Sequence, residues 1–182
     1  MSHDNAPPSE WVRRWAHLVR PGGKVLDLAC GTGRHARFFA ARGHVVTACD
    51  RDQAALATLA AVPGVTSLQG DLEDGSPWPF DPAQFDAVIV CNYLHRPLFA
   101  AIGGALAPGG VLVYETFLSG NERYGKPSNP RFLLERDELL SAFAQRLVVA
   151  GFEQGRVERG NPALIQRLCA LQGGGLDNKL EA

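Results

Sequence analysis

Lys24-Val25-Leu26-Asp27-Leu28-Ala29-Cys30-Gly31-Thr32-Gly33 reads as a buried strand that runs into a glycine loop. Pro21-Gly22-Gly23 breaks the chain ahead of it. Behind it a helix is expected from about Arg34 to Arg42, with Phe38 and Phe39 on its apolar face. Strand, glycine loop and helix in that order form the opening unit of an α/β domain, with the loop placed where a ligand meets the strand's C-terminal end.

Reading outward, the unit repeats. A strand from Val45 to Cys49 ends at Asp50, a helix from about Gln53 to Ala61 stops at Val62-Pro63-Gly64, and a strand from Val65 to Gln69 ends at Gly70-Asp71. Asp74 to Pro82 holds Pro77, Pro79 and Pro82, so this crossover is expected to be a loop. Phe85 to Cys91 (FDAVIVC) is a continuous apolar run suited to a sheet centre. A helix from about Pro97 to Ala107, a turn at Pro108-Gly109-Gly110 and a strand from Val111 to Phe117 follow.

Leu118 to Pro130 (LSGNERYGKPSNP) is polar and lies beyond a strand's C-terminal end, which marks it as a substrate loop or lid. After a helix around Arg136 to Ala144, two strand-like stretches, Leu147 to Val157 and Ala163 to Leu171, are joined by Arg159-Gly160-Asn161-Pro162. So short a connection makes them an antiparallel hairpin. Upstream of the first strand, Ser9 is a candidate N-cap for a helix through about Val19, with Trp11 and Trp15 one turn apart as core residues.

The 182 residues and 46% apolar content suit a single domain over 1–182, with 1–8 and 173–182 expected to be flexible. The formal charge of −1 argues against a broad phosphate-binding surface, so no nucleic-acid partner is expected. No apolar run reaches the roughly 20 residues of a membrane span, and Met1 to Pro8 lacks the features of a signal peptide, so the expectation is a cytoplasmic protein with no membrane partner. Cys30, Cys49, Cys91 and Cys169 show no C-x-x-C spacing and read as buried thiols, with a reactive thiol at neighbouring strand ends as the alternative. No His, Asp or Glu cluster has metal-ligand spacing, so no metal is expected.

The glycine loop has two readings. Gly31-x-Gly33-x-x-Ala36, with Asp50 19 positions after Gly31, fits the loose dinucleotide pattern and would suit NAD. Any adenosine-bearing cofactor uses the same physics: glycines for close approach, a helix N-terminus, and an acid for the ribose hydroxyls. Asp27 favours the second reading, because a buried carboxylate needs a partner that an ammonium or sulfonium can be and a diphosphate cannot. Hydrogen bonding of Asp27 to amides of the glycine loop is the bland alternative.

Val25-Leu26-Asp27-Leu28-Ala29-Cys30-Gly31-Thr32-Gly33 resembles the first motif of the class I S-adenosylmethionine-dependent methyltransferases. Asp50, Gly70-Asp71-Leu72, Phe85-Asp86 and Leu106-Ala107-Pro108-Gly109-Gly110 agree with that family in order and spacing. Ala29 departs from it, since the family most often has glycine there. The small size and Tyr114-Glu115-Thr116-Phe117 with the loop that follows are similar to the bacterial tellurite-resistance methyltransferase group.

The resemblance implies a Rossmann-like, doubly wound sheet of seven strands in the order 3-2-1-4-5-7-6, with strand seven antiparallel. It implies S-adenosyl-L-methionine as cofactor and methyl transfer to a small-molecule acceptor, releasing S-adenosylhomocysteine. Asp27, Ala29, Cys30, Gly31, Thr32 and Gly33 would then face the methionine moiety, Asp50 the ribose, Asp71 and Leu72 the adenine, and Cys91 and Asn92 the sulfonium. Candidates for acid–base work are Tyr93 and His95, His95 being as suited to capping the next helix. Glu115, Asn121, Arg123 and Tyr124 are candidates for the substrate loop, and Arg123 and Lys126 would meet either an anionic substrate or solvent. His35 would touch the methionine carboxylate or lie on the helix surface. Two rivals stand beside this reading: an NAD-dependent oxidoreductase, and a domain that holds the cofactor without turnover.

Overall fold

The computed structural model describes residues 6–159 and 161–173. Seven strands, β1 (Lys24–Leu28), β2 (Val45–Asp50), β3 (Val65–Gln69), β4 (Phe85–Cys91), β5 (Leu106–Phe117), β6 (Val148–Arg159) and β7 (Asn161–Leu171), form one sheet in the order β3-β2-β1-β4-β5-β7-β6. The first five run parallel, and β7 is antiparallel to both β5 and β6. The expected order and the reversed seventh strand are therefore both present. The parallel pairing puts the C-terminal ends of β1, β2, β4 and β5 along one edge, where the glycine loop begins.

Side chains alternate along each strand, so each strand feeds two cores. Val25, Ala48, Ile89, Val113 and Cys169 pack on one face with Trp11, Trp15 and Phe39. Leu26, Leu28, Val90, Tyr114 and Leu168 pack on the other with Ile102, Leu139 and Phe143. Helices α1 (Glu10–Trp15), α2 (Arg34–Ala40), α3 (Gln53–Ala57), α4 (Phe99–Gly104) and α5 (Glu138–Phe143) are all shorter than the roughly 12 residues an isolated helix needs. Their positions come from packing. In α1, Ser9 is the N-cap and accepts from the Trp11 amide, while Trp11 and Trp15 are almost fully buried edge to face and the Trp11 indole donates to the Leu168 carbonyl at 3.2 Å.

Several boundaries differ from expectation, among them α3, which ends at Ala57 rather than near Ala61. The helix expected from Pro97 to Ala107 is a 3-10 turn at Arg96–Leu98 followed by α4, and it ends at Gly104. Pro108-Gly109-Gly110 is then the bulged start of β5 rather than a turn: Leu106 pairs with Phe85, the Gly109 amide donates to the Gln172 carbonyl, and the Gln172 amide donates to the Gly110 carbonyl. Ladder hydrogen bonds to the end of the hairpin outweigh the local turn preference of the Pro-Gly-Gly sequence. The hairpin strands also extend further than expected, with pairing out to Arg159 and Asn161. Residues 1–5 and 174–182, where most of the expected terminal flexibility falls, lie outside the described residues. No described helix is long and apolar enough to cross a membrane.

Candidate active site

Beyond Leu28 the chain turns through three left-handed residues, Ala29 (φ 52°), Gly31 (φ 55°) and Gly33 (φ 76°). At Gly33 an added Cβ would lie 2.5 Å from the Leu59 side chain, so glycine there seats the loop on the core. At Gly31 an added Cβ would meet nothing within 4 Å, because that residue faces an open cleft. Ala29, where the related family usually has glycine, holds a left-handed conformation that costs an L-residue about 1–2 kcal/mol. Strain of the backbone, more than crowding by the methyl group, is the cost of the departure.

The Asp50 carboxylate ties the loop to β2, one oxygen accepting from the Gly31 amide at 2.7 Å and the other from the Asp52 amide at 2.9 Å. Each oxygen keeps a lone pair for a ribose hydroxyl. Asp71 accepts from the Glu73 amide at 2.9 Å, so it closes its own turn as well as lining the cleft beside Leu72.

Asp27 is buried among apolar neighbours, and its carboxylate accepts from the amide of Ala36 at 2.8 Å, not from the glycine loop. Since Gly33 offers no capping side chain, Asp27 reaches across from β1 to cap the first turn of α2. Burial raises its pKa to about 7, against the opposing pull of the Ala36 amide and Arg34. Neighbouring His35 is also buried rather than on the helix surface, with Nδ1 3.8 Å from Asp27 and Nε2 accepting from the Ser9 amide at 3.2 Å. Burial lowers its pKa to about 3, so it stays neutral.

Three cavities of comparable size open along this edge of the sheet. The first, about 370 Å³, is bordered by Ala29, Asp50, Asp71, Leu72 and Tyr93. The second, about 380 Å³, is bordered by Asp27, Ala29, Cys30, Gly31, Thr32, His35 and Cys91. The third, about 360 Å³, lies under the 118–130 segment and is bordered by Arg34, Glu115, Asn121, Tyr124 and Lys126. Asn92, held in a left-handed conformation (φ 57°) at the end of β4, borders all three. The cleft is thus a three-lobed space centred on one residue.

All eleven positions assigned to the cofactor except Gly33 border the first two lobes, and Gly33 sets the shape of their shared loop. The Cys30 thiol donates to the Gly31 carbonyl at 3.4 Å, and burial pushes its pKa well up, which makes it inert. The other candidates divide. Tyr93 borders the first lobe, and its hydroxyl is buried toward Glu73 and Asp71, which with burial raises its pKa. His95 borders none of the three lobes; its Nδ1 is 3.9 Å from Glu73, and it makes no side-chain cap on the turn that follows.

Glu115, Asn121 and Tyr124 do border the third lobe, whereas the Arg123 guanidinium folds back onto the Gly120 carbonyl. Asn121 is buried and latches the segment, its Nδ2 donating to Pro127 and its Oδ1 accepting from the Leu164 amide. Glu115 accepts from the Ser9 hydroxyl at 2.8 Å and lies 3.6 Å from Arg167, its cross-strand neighbour on β7. Arg34 and Phe117 were not singled out from the sequence, yet each borders two lobes. The position of Arg34 directly after Gly33 was the one signal for it.

Residues 25–110 match the sequence model of the family described as Methyltransferase domain. YqeM of Bacillus subtilis (strain 168), whose methyltransferase designation is itself provisional, is 32% identical over 133 residues, 65% of this chain and 51% of that protein. An uncharacterized methyltransferase of Synechocystis, sll0829, is 34% identical over 101 residues, 51% of this chain and 46% of that protein. The chain spans about half the length of these curated relatives. Among solved structures, TehB from Haemophilus influenzae superposes with a TM-score of 0.78 at 16% identity, covering 94% of this chain and 64% of that one. A TehB-like S-adenosylmethionine-dependent methyltransferase from Corynebacterium glutamicum gives 0.65 at 19% identity, covering 90% and 87%.

The family model thus matches just under half of the chain, and the sheet order is the one expected from the resemblance. The fold is of the kind seen in TehB. The donor set suits a ligand that carries sugar hydroxyls and an ammonium: an open glycine face, a carboxylate with spare lone pairs at Asp50, and a buried carboxyl at Asp27.

Proposed function

We propose that this chain transfers a methyl group from S-adenosylmethionine to a small-molecule acceptor and releases S-adenosylhomocysteine. The observation that carries the reading is the three-lobed cleft meeting at Asn92. Two lobes suit the two ends of the cofactor, and the third is a separate space for an acceptor. Bound S-adenosylmethionine supplies a methyl carbon already activated by its sulfonium.

The chain's own task is then alignment and exclusion of water. Asp27 holds the ammonium, the Ala29–Gly33 loop holds the backbone of the methionine moiety, Asp50 takes the ribose hydroxyls, and Asp71 and Leu72 flank the adenine. Asn92 and Cys91 border the point of transfer. Residues 118–130, latched by Asn121, roof the acceptor lobe. A lobe of about 360 Å³ is in the size range of small-molecule sites, and the near-neutral charge of the chain speaks against nucleic acid. A cytoplasmic location remains part of this proposal.

Thermal unfolding with S-adenosylmethionine, S-adenosylhomocysteine, NAD and NADP in separate samples tests the reading. A ligand at about 100 times its dissociation constant adds roughly 2.7 kcal/mol, a shift of several degrees for a domain of this size. The two S-adenosyl ligands should give the shift; a shift with NAD or NADP alone overturns the proposal.

A further inference from the structure

The third lobe bears on the chemistry of the acceptor, an inference that rests on the methyl-transfer reading above. An alcohol, amine or neutral thiol must lose a proton during transfer, and that needs a base within reach. Among the described residues no histidine borders the lobe, and the proton-accepting side chains that do are the Glu115 carboxylate and the weakly basic Tyr124 phenol. Tyr93 lies in the adenosyl lobe with its hydroxyl toward Glu73, and His95 sits by Glu73 outside all three lobes. His35 is sealed between Asp27 and the Ser9 amide. Glu115 does border the lobe, but one carboxylate oxygen accepts from the Ser9 hydroxyl and the other faces Arg167 at 3.6 Å, so both are directed at partners within the protein.

The same lobe is electropositive. Arg34 and Lys126 border it, and the charge of Glu115 is offset by Arg167. Phe117, Val157 and Ile165 supply an apolar wall. A lobe with two cations, an apolar wall, no described histidine and its one carboxylate engaged by Ser9 and Arg167 fits a nucleophile that arrives already ionised.

We infer that the acceptor is a small carboxylate with an apolar body, its charged end drawn between Arg34 and Lys126 beside Asn92, and that the product is a methyl ester. A lone pair on the carboxylate oxygen forms the new bond to the methyl carbon, while the electron pair of the breaking carbon–sulfur bond stays on sulfur. No proton moves, and the acceptor's negative charge cancels the positive charge of the sulfonium.

Isothermal titration of the whole chain tests this. S-Adenosylhomocysteine is titrated first; then benzoate, benzyl alcohol and benzylamine are each titrated into the saturated protein. Benzoate should bind at least tenfold more tightly than either isostere. Lys126 is an exposed loop residue, so Lys126→Met should fold normally and cut that preference at least fivefold. Lys126→Arg should retain the preference, and affinity for S-adenosylhomocysteine should stay within twofold in both variants. Benzoate binding no tighter than its isosteres, or a preference that survives Lys126→Met, overturns the carboxylate assignment and leaves methyl transfer standing. Failure to bind S-adenosylhomocysteine in the first titration overturns the methyl-transfer reading itself, and this inference with it.

Discussion

Asp27 on β1 and His35 on α2 have proton affinities shifted in opposite directions by burial, so their effects on the pH dependence of stability oppose each other. Asp27 keeps its proton in the folded chain up to about pH 7, whereas an unfolded aspartate releases it near 3.8. His35 refuses a proton in the folded chain down to about pH 3, whereas an unfolded histidine takes one near 6.5. Between about pH 4 and 6.5 each state therefore holds one proton, on Asp27 when folded and on His35 when unfolded, and the two slopes cancel. Replacing His35 by Gln, which keeps an acceptor for the Ser9 amide, removes only the histidine's share. Urea unfolding of H35Q should then show stability rising by about 2 kcal/mol more than wild type on going from pH 6.5 to 5. An identical pH profile for the two proteins counts against the assignment. Asp27→Asn should stabilise the cofactor-free chain at pH 8 by about 2 kcal/mol, because a buried charge is removed while the Ala36 amide keeps an acceptor, and should weaken S-adenosylmethionine binding at least tenfold. Calorimetry of both properties checks the trade.

At the scale of elements, short helices owe their position to single contacts. Ser9 caps α1 and also donates to Glu115, 106 residues away, so one hydroxyl fixes the helix to the strand that borders the third lobe. Ser9→Ala should cost about 2–3 kcal/mol, combining a lost cap with a lost buried hydrogen bond, as read from denaturant midpoints. The bulge in β6 makes room for α1 from the other side: an added Cβ at Gly151 would lie 2.4 Å from the Trp15 ring. Gly151→Ala should cost about 1–3 kcal/mol through overpacking. Arg167 continues the clamp, lying 3.6 Å from Glu115 and 3.3 Å from Glu153, its cross-strand neighbours on β5 and β6. Opposite charges facing each other across adjacent strands stabilise that register.

For the whole molecule, the decisive feature is the sheet edge where five parallel strands end together and the hairpin closes the side of the third lobe. The segment at 118–130 is held to that hairpin through Asn121, while Arg96 pairs with Glu138 and donates to the Leu133 carbonyl, tying the loop after β4 to the segment leading into α5. Asn121→Ala should free the segment: limited proteolysis between 118 and 130 should speed up severalfold, with a stability loss of about 1–3 kcal/mol from unmet buried hydrogen bonds. Unchanged cleavage would show that other contacts hold the roof.

The succession of strands and the place of the glycine loop are legible in short-range signals, apolar runs, glycines and an acid at a strand's end, each readable within a few residues. The strand order and the residues expected to face a cofactor are instead what the family resemblance implies. Only the tertiary structure puts Tyr93 and His95 beside Glu73, Asp27 at the cap of α2, and Glu115 between Ser9 and Arg167. It also turned Pro108-Gly109-Gly110 from a turn into the start of a strand. The physical reason is common to all of these. Their partners are set by sheet register and by the packing of elements up to about a hundred residues apart in the chain, and no local pattern of residues encodes that distance.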